Sequence, residues 1–108
     1  MIAKGDFRDK STVAIKVRFM GDLPAVVGGR DTMVSVPQGS TIGDLVTSLC
    51  DHYGEGFRCR VVSRPGTLHH DILIFLNGEN IQEIGELEAR LEGNSEMEII
   101  MLPAFEGG

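Results

Sequence analysis

At 108 residues the chain has the size of one domain, with room for one hydrophobic core and no second. A hydrophobic content of 42% excludes a disordered polymer, and no apolar run is long enough to cross a bilayer. Ten Lys and Arg against 16 Asp and Glu leave a net charge of -6. That balance argues against a nucleic-acid backbone as partner and fits either a basic protein surface or simple solubility.

Residues 1–11 are polar, carry Gly5 and show no periodicity, so they read as a flexible N-terminal extension. Met1 to Lys10 lacks the apolar centre of a signal peptide, so a cytoplasmic location is expected. In a reducing compartment Cys50 and Cys59 are expected as thiols, without a Cys-x-x-Cys partner. Val13, Ile15, Val17 and Phe19 alternate with Ala14, Lys16 and Arg18, which predicts a half-buried strand. Gly21, Pro24, Gly28 and Gly29 mark a connection with a short turn at Leu23 to Val27. A second strand runs from Thr32 to Val36 and stops at Pro37.

Thr41-Ile42-Gly43-Asp44 has the form of a capping box with Asp in place of Glu. Ile42, Leu45, Val46, Leu49 and Tyr53 then recur at helical spacing, and Gly54 offers a left-handed stop. Residues 55–70 allow a partial helix or a short strand around Phe57, Val61 and Val62, with a turn at Arg64-Pro65-Gly66-Thr67. Asp71 to Leu76 predicts a strand apolar on both faces, with Ile72, Ile74 and Leu76 opposite Leu73 and Phe75. Asn77-Gly78 turns it, Ile81 and Ile84 continue in short extended structure, and Glu86 to Leu91 allows one helical turn. The last strand spans Met97 to Leu102 and ends at Pro103.

This order predicts an α+β domain over residues 12–103, a mixed sheet curled around one main helix, with the last strand parallel to the first. Residues 104–108 follow as a flexible tail ending in Gly107-Gly108. A sheet with one helix leaves a face open. Leu73 and Phe75 would point there, with either Ile99 and Met101 or Ile100 and Leu102. Leu73, Phe75, Ile99 and Met101 are taken as the candidate docking surface. The alternative is that residues 55–70 fold over this face and make it core.

His52, His69 and His70 lack zinc-type spacing, and neighbouring His69 and His70 would point opposite ways in a strand, so no metal site is expected. Glu83, Glu86, Glu88 and Glu92 read as a solvated acidic face. No Ser-His-Asp or Cys-His pair can be argued, and Gly28-Gly29 lacks the context of a phosphate loop.

The run Met97-Glu98-Ile99-Ile100-Met101-Leu102-Pro103-Ala104-Phe105-Glu106-Gly107-Gly108 resembles the end of the MoaD/ThiS family of sulfur carriers. Val13 to Phe19, Gly39-Ser40-Thr41-Ile42-Gly43-Asp44-Leu45 and Ile74-Phe75-Leu76-Asn77-Gly78-Glu79-Asn80-Ile81 resemble the family's opening strand, helix start and third-strand passage. The chain departs from it at Gly93-Asn94-Ser95-Glu96, where an acidic turn is usual, at bulky Phe105, and in the longer segment 55–70. That length makes it look most like the small subunit of molybdopterin synthase.

The resemblance implies a ubiquitin-like β-grasp fold and a C-terminal carboxylate, that of Gly108, as the working group. A ubiquitin-activating-type enzyme would adenylate it with ATP, and a sulfur donor would convert it to a thiocarboxylate. Pro103, Ala104, Phe105, Glu106 and Gly107 would thread into a partner's active site, where the absence of Cβ atoms at the last two residues lets backbone enter a narrow channel. That partner would be the large catalytic subunit of molybdopterin synthase or another sulfur-accepting enzyme. The chain itself would bind no cofactor, contact neither nucleic acid nor membrane, and supply no catalytic groups of its own. The same tail would also suit a carrier for thiamine, cysteine or homocysteine synthesis or tRNA thiolation. A modifier forming isopeptide bonds with lysines is a further reading, as is an interaction module that is never activated.

Overall fold

A computed structural model of the chain describes residues 12–103. Its elements in chain order are β1 (Thr12–Gly21), α1 (Leu23–Val27), β2 (Asp31–Pro37), α2 (Ile42–Tyr53) and α3 (Glu55–Val61). There follow β3 (Val62–Arg64), β4 (Thr67–Leu68), β5 (Ile72–Leu76), β6 (Glu79–Asn80) and β7 (Ser95–Met101). Two 3₁₀ turns, Ile81–Glu83 and Glu86–Glu88, lie between β6 and β7. Five strands form one mixed sheet in the order β2-β1-β7-β5-β6, while β3 and β4 make a separate small hairpin. β1 runs antiparallel to β2 and parallel to β7, and β7 runs antiparallel to β5. This is the ubiquitin-like β-grasp arrangement expected above.

One sheet face carries the core. Ile15, Val17 and Phe19 of β1, Ile72, Ile74 and Leu76 of β5, and Met97, Ile99 and Met101 of β7 are all buried on it. Strand alternation puts them on one side, and α2 covers them with Ile42, Leu45, Val46, Leu49 and Cys50. The helix begins where the sequence places it. The Thr41 hydroxyl accepts from the Asp44 backbone N–H (3.1 Å), and the Asp44 carboxylate accepts from the Thr41 N–H (3.0 Å).

Residues 55–70 resolve into a helix followed by a hairpin. Phe57 and Val61 of α3 are buried in the main core, and the Phe57 ring meets Phe19 edge-on at 6.2 Å and Tyr53 at 5.5 Å. The segment therefore packs on the helix side, and the alternative in which it covers the opposite sheet face does not hold. Gly54 has φ +87° and ψ -166°, outside the left-handed helical well, so it is a hinge between two helices rather than a left-handed stop. Ile81 enters a 3₁₀ turn instead of continuing an extended segment, because Asn80 caps it by accepting from the Gln82 N–H at 2.9 Å. The extension at residues 1–11 and the tail at 104–108 lie outside the described residues.

Candidate functional site

The site is built from β7 outward. β7 is the central strand, paired over Ile15 to Gly21 on one side and Ile72 to Leu76 on the other. Its start is clasped by Asn77, whose N–H donates to the Glu96 carbonyl (2.8 Å) and whose Oδ1 accepts from the Glu96 N–H (3.0 Å). At its far end the Met101 carbonyl accepts from the Asp22 N–H at 3.3 Å, and the Leu102 N–H donates to the Asp71 carbonyl at 2.9 Å. Pro103, exposed and without an N–H, ends the ladder. The tail thus departs from a firmly paired root. Ala104, Phe105, Glu106, Gly107 and Gly108 are outside the described residues.

Side-chain parity corrects one expectation. Ile99 is 0% exposed and Met101 6%, so both belong to the core and neither lines an open face. Ile100 and Leu102 occupy the other side with Leu73 and Phe75. The signal was present in β7 itself. Glu96 and Glu98 must face away from an apolar core, and period-two alternation then sends Ile100 and Leu102 outward with them.

The outer face has two rows. Met20, Ile100 and Leu73 lie side by side across β1, β7 and β5, and Arg18, Glu98 and Phe75 form the next row. Met20 is 39% and Leu102 40% exposed, while Ile100, Leu73 and Phe75 are half-buried. Arg18 and Glu98 pair at 3.9 Å at the margin of this strip. The result is an apolar strip beside the root of the tail, edged by charge. Sequence reasoning named Leu73 and Phe75, held Ile100 with Leu102 only as the alternative to Ile99 with Met101, and missed Met20 because β1 read only as a core strand.

The remaining candidates are scattered. Glu83, Glu86, Glu88 and Glu92 are all exposed. His52 stacks edge-on against Tyr53 at 4.7 Å, and His69 Nε2 donates to the Cys59 carbonyl at 3.0 Å. Among the described residues no three His, Cys, Asp or Glu side chains are grouped to hold a metal, and no helix is long and apolar enough to cross a membrane.

The two thiols differ sharply. Cys50 is buried against the core and Cys59 is exposed. Burial pushes the Cys50 thiol above its ordinary pKa; Arg58 opposes this, and Asp51 and Glu55 add to it. A thiol reagent at neutral pH is expected to label one cysteine, Cys59, in the folded protein and both after denaturation. Because the folded pKa of Cys50 is raised, its contribution to stability is complete below the unfolded thiol pKa and is lost as pH rises through the folded value. Denaturant titrations on either side of that window, in a Cys59→Ala background, measure it. Rapid native labelling of Cys50 would contradict the buried placement.

The sequence profile of the ThiS family matches residues 17–108, nearly the whole described domain together with the Gly107-Gly108 end. The chain belongs to the ThiS family. As such it is a β-grasp protein of the sulfur-carrier and ubiquitin-like modifier kind. Solved structures agree with the fold. Crystalline SAMP1 from Haloferax volcanii is 25% identical, with a TM-score of 0.71 over 88% of this chain and 99% of that one. The solution structure of the Haloferax volcanii HVO 2177 protein is 21% identical (TM-score 0.76, 87% of each chain). A chain of the Amycolatopsis orientalis BexX/CysO complex is 24% identical (TM-score 0.65, 85% of this chain and 99% of that one). No curated protein sequence matches. For this ThiS-family chain, then, the geometry to be explained is a firmly rooted β7 beside an apolar strip that is partly exposed among the described residues.

Proposed function

We propose that the chain is a sulfur carrier whose Gly108 carboxylate is activated and then converted to a thiocarboxylate. In the first step the carboxylate attacks ATP in a ubiquitin-activating-type enzyme, giving an acyl-adenylate and pyrophosphate. A sulfur donor then displaces AMP and leaves C-terminal sulfur. The observation that carries this reading is the ThiS-family match running through Gly107-Gly108, directly after a strand paired on both sides. A carboxylate is a poor electrophile, so the carrier needs only an accessible end, and its partners supply the charge stabilisation.

The proposed sulfur acceptor is the pterin precursor of the molybdenum or tungsten cofactor, held in a large synthase subunit. The inserted α3-β3-β4 segment supports this over the shortest carriers. A modifier forming isopeptide bonds is the second reading, favoured by the 25% identity to the archaeal modifier SAMP1. Intact mass of the protein from its native cell tests both. A chain ending at Gly108 with one oxygen replaced by sulfur supports the carrier, and Gly108 linked to lysines supports the modifier. A product that continues beyond Gly108 and is never trimmed would defeat both.

Within this reading the activating enzyme docks on the strip formed by Met20, Leu73, Phe75, Ile100 and Leu102, and the net charge of -6 favours a basic rim around its contact. Replacing Leu73 with Asp places a charge within that contact, beside Ile100. Its apparent affinity for the activating enzyme is expected to fall about tenfold to a hundredfold, with little change in the melting temperature. Activation kinetics against carrier concentration measure the effect. Unchanged affinity would move the contact elsewhere.

A further inference from the structure

One edge of the sheet offers a surface that carriage leaves unused. β2 ends the five-stranded sheet and pairs with β1 alone among the described residues. The Phe19 N–H donates to the Arg30 carbonyl at 2.8 Å, which sets the hydrogen-bonding parity of this hairpin. Thr32, Val34 and Val36 therefore turn their backbone N–H and C=O groups toward β1. Asp31, Met33 and Ser35 turn theirs outward, where no strand among the described residues receives them. The register runs from Thr12 opposite Pro37 to Arg18 opposite Asp31 without a bulge. From Thr32 to Val36 the strand carries no charge and no proline, and Pro37 comes only at its end. Monomeric sheets usually blunt such an edge with a lysine, a proline or a bulge.

The side chains single out the same strand. Met33 is 62% exposed, more than any other large hydrophobic among the described residues. It stands apart from the apolar strip, in a row that runs from Met33 to Lys16 and Glu96. Self-complementarity decides what suits this edge. A second copy laid antiparallel about a twofold axis at Met33 sets Met33 against Met33, Asp31 against Ser35 and Thr32 against Val34. Met33 then exchanges both backbone bonds with its counterpart, and Asp31 exchanges both with Ser35. No like charges face each other, Pro37 falls outside the paired segment, and the two methionines cover one another.

We propose that β2 pairs with β2 of a second copy of this chain and joins the two sheets into one across a twofold axis. The contact is small, about five residues a side against the 20–30 of a standard interface, so the dimer is weak and reversible, with a Kd of roughly 0.1–1 mM. Each chain carries a net charge of -6, so the copies repel at long range and salt strengthens their pairing. The pairing also fixes where β7 lies. Between the two β7 strands stand β1 and β2 of each copy, which sets them about 24 Å apart and antiparallel. Their C-terminal ends leave from opposite ends of the joined sheet, and both apolar strips lie outside the contact. The dimer stands on the edge geometry and is independent of the carrier reading.

The test follows the full chain by sedimentation equilibrium and amide exchange from about 10 µM to about 2 mM, at low and high salt. The native chain is expected to dimerise as its concentration rises, several-fold more tightly at high salt. The Asp31, Met33 and Ser35 amides are expected to gain protection in step with it. Two variants break the contact in different ways. Met33→Lys brings like charges together on the twofold axis, and Ser35→Pro removes an outward N–H while the bonds to β1 remain. Each is expected to weaken the dimer at least tenfold, with Thr32 and Val34 amides still protected as evidence of an intact hairpin. A native chain that stays monomeric at about 2 mM overturns the proposal, as does a dimer of unchanged affinity in both variants. Protection at Asp31, Met33 and Ser35 that is independent of concentration overturns it too, because the edge is then covered within one chain.

Discussion

Removal of Gly108 is expected to abolish activation while leaving the unfolding midpoint unchanged. On the proposed function, an adenylating enzyme would have to bring one carboxylate oxygen of Gly108 onto the α-phosphate of ATP. A chain ending at Gly107 falls short by one residue, roughly 3.5 Å. A displacement of 1 Å from near-attack geometry already costs on the order of a hundredfold. ATP–pyrophosphate exchange should therefore drop by about a thousandfold or more. Among the described residues the buried core runs from Ile15 to Met101, so the domain is expected to keep its stability without Gly108. A melting temperature lowered by the deletion would mean that the tail is packed into the domain, and a free end could not then be assumed.

Substitution of Gly21 with Ala is expected to be the most damaging single-methyl change. Gly21 has φ +70°, and a Cβ there would lie 2.1 Å from the Met101 carbonyl oxygen and 2.9 Å from its carbon. Both atoms are backbone, so no rotamer change relieves the collision. The neighbouring Asp22 N–H donates to the same carbonyl. The clash and the left-handed backbone together are expected to cost about 3 kcal/mol, lowering the melting temperature by roughly 10–20 °C for a domain of this size. Gly28 is the control. Its φ is +79°, but nothing lies within 4 Å of its Cβ position, so Ala there should cost about 1 kcal/mol. Thermal unfolding followed by circular dichroism separates the two, and equal losses would show that close approach to Met101 is not what Gly21 provides.

Much of this architecture was legible because local pattern and tertiary structure agree. The alternation of Val13 to Phe19, the Thr41 to Asp44 cap and the Asn77-Gly78 turn each carry a short-range cause, and each forms as read. The misplaced residues failed for a different reason. Ile99 and Ile100 are chemically equivalent, and only the burial parity of β7 distinguishes them; the adjacent glutamates carried that parity and were not used. Residues 55–70 stayed ambiguous because Phe57 finds Phe19 and Tyr53 in space, not in sequence. The close approach of Gly21 to Met101 joins positions at opposite ends of the domain, which no local motif encodes.

The placement of β7 between a parallel and an antiparallel neighbour has a mechanical consequence. When a partner draws the last residues into a channel, tension along the tail loads both flanking ladders in shear, so many hydrogen bonds resist together instead of unzipping one at a time. A tail on an edge strand would peel away under the same pull. On the proposed function, the chain could then be handed between enzymes by its end without being unravelled, and a protein-unfolding motor that gripped that end would meet the doubly paired strand first.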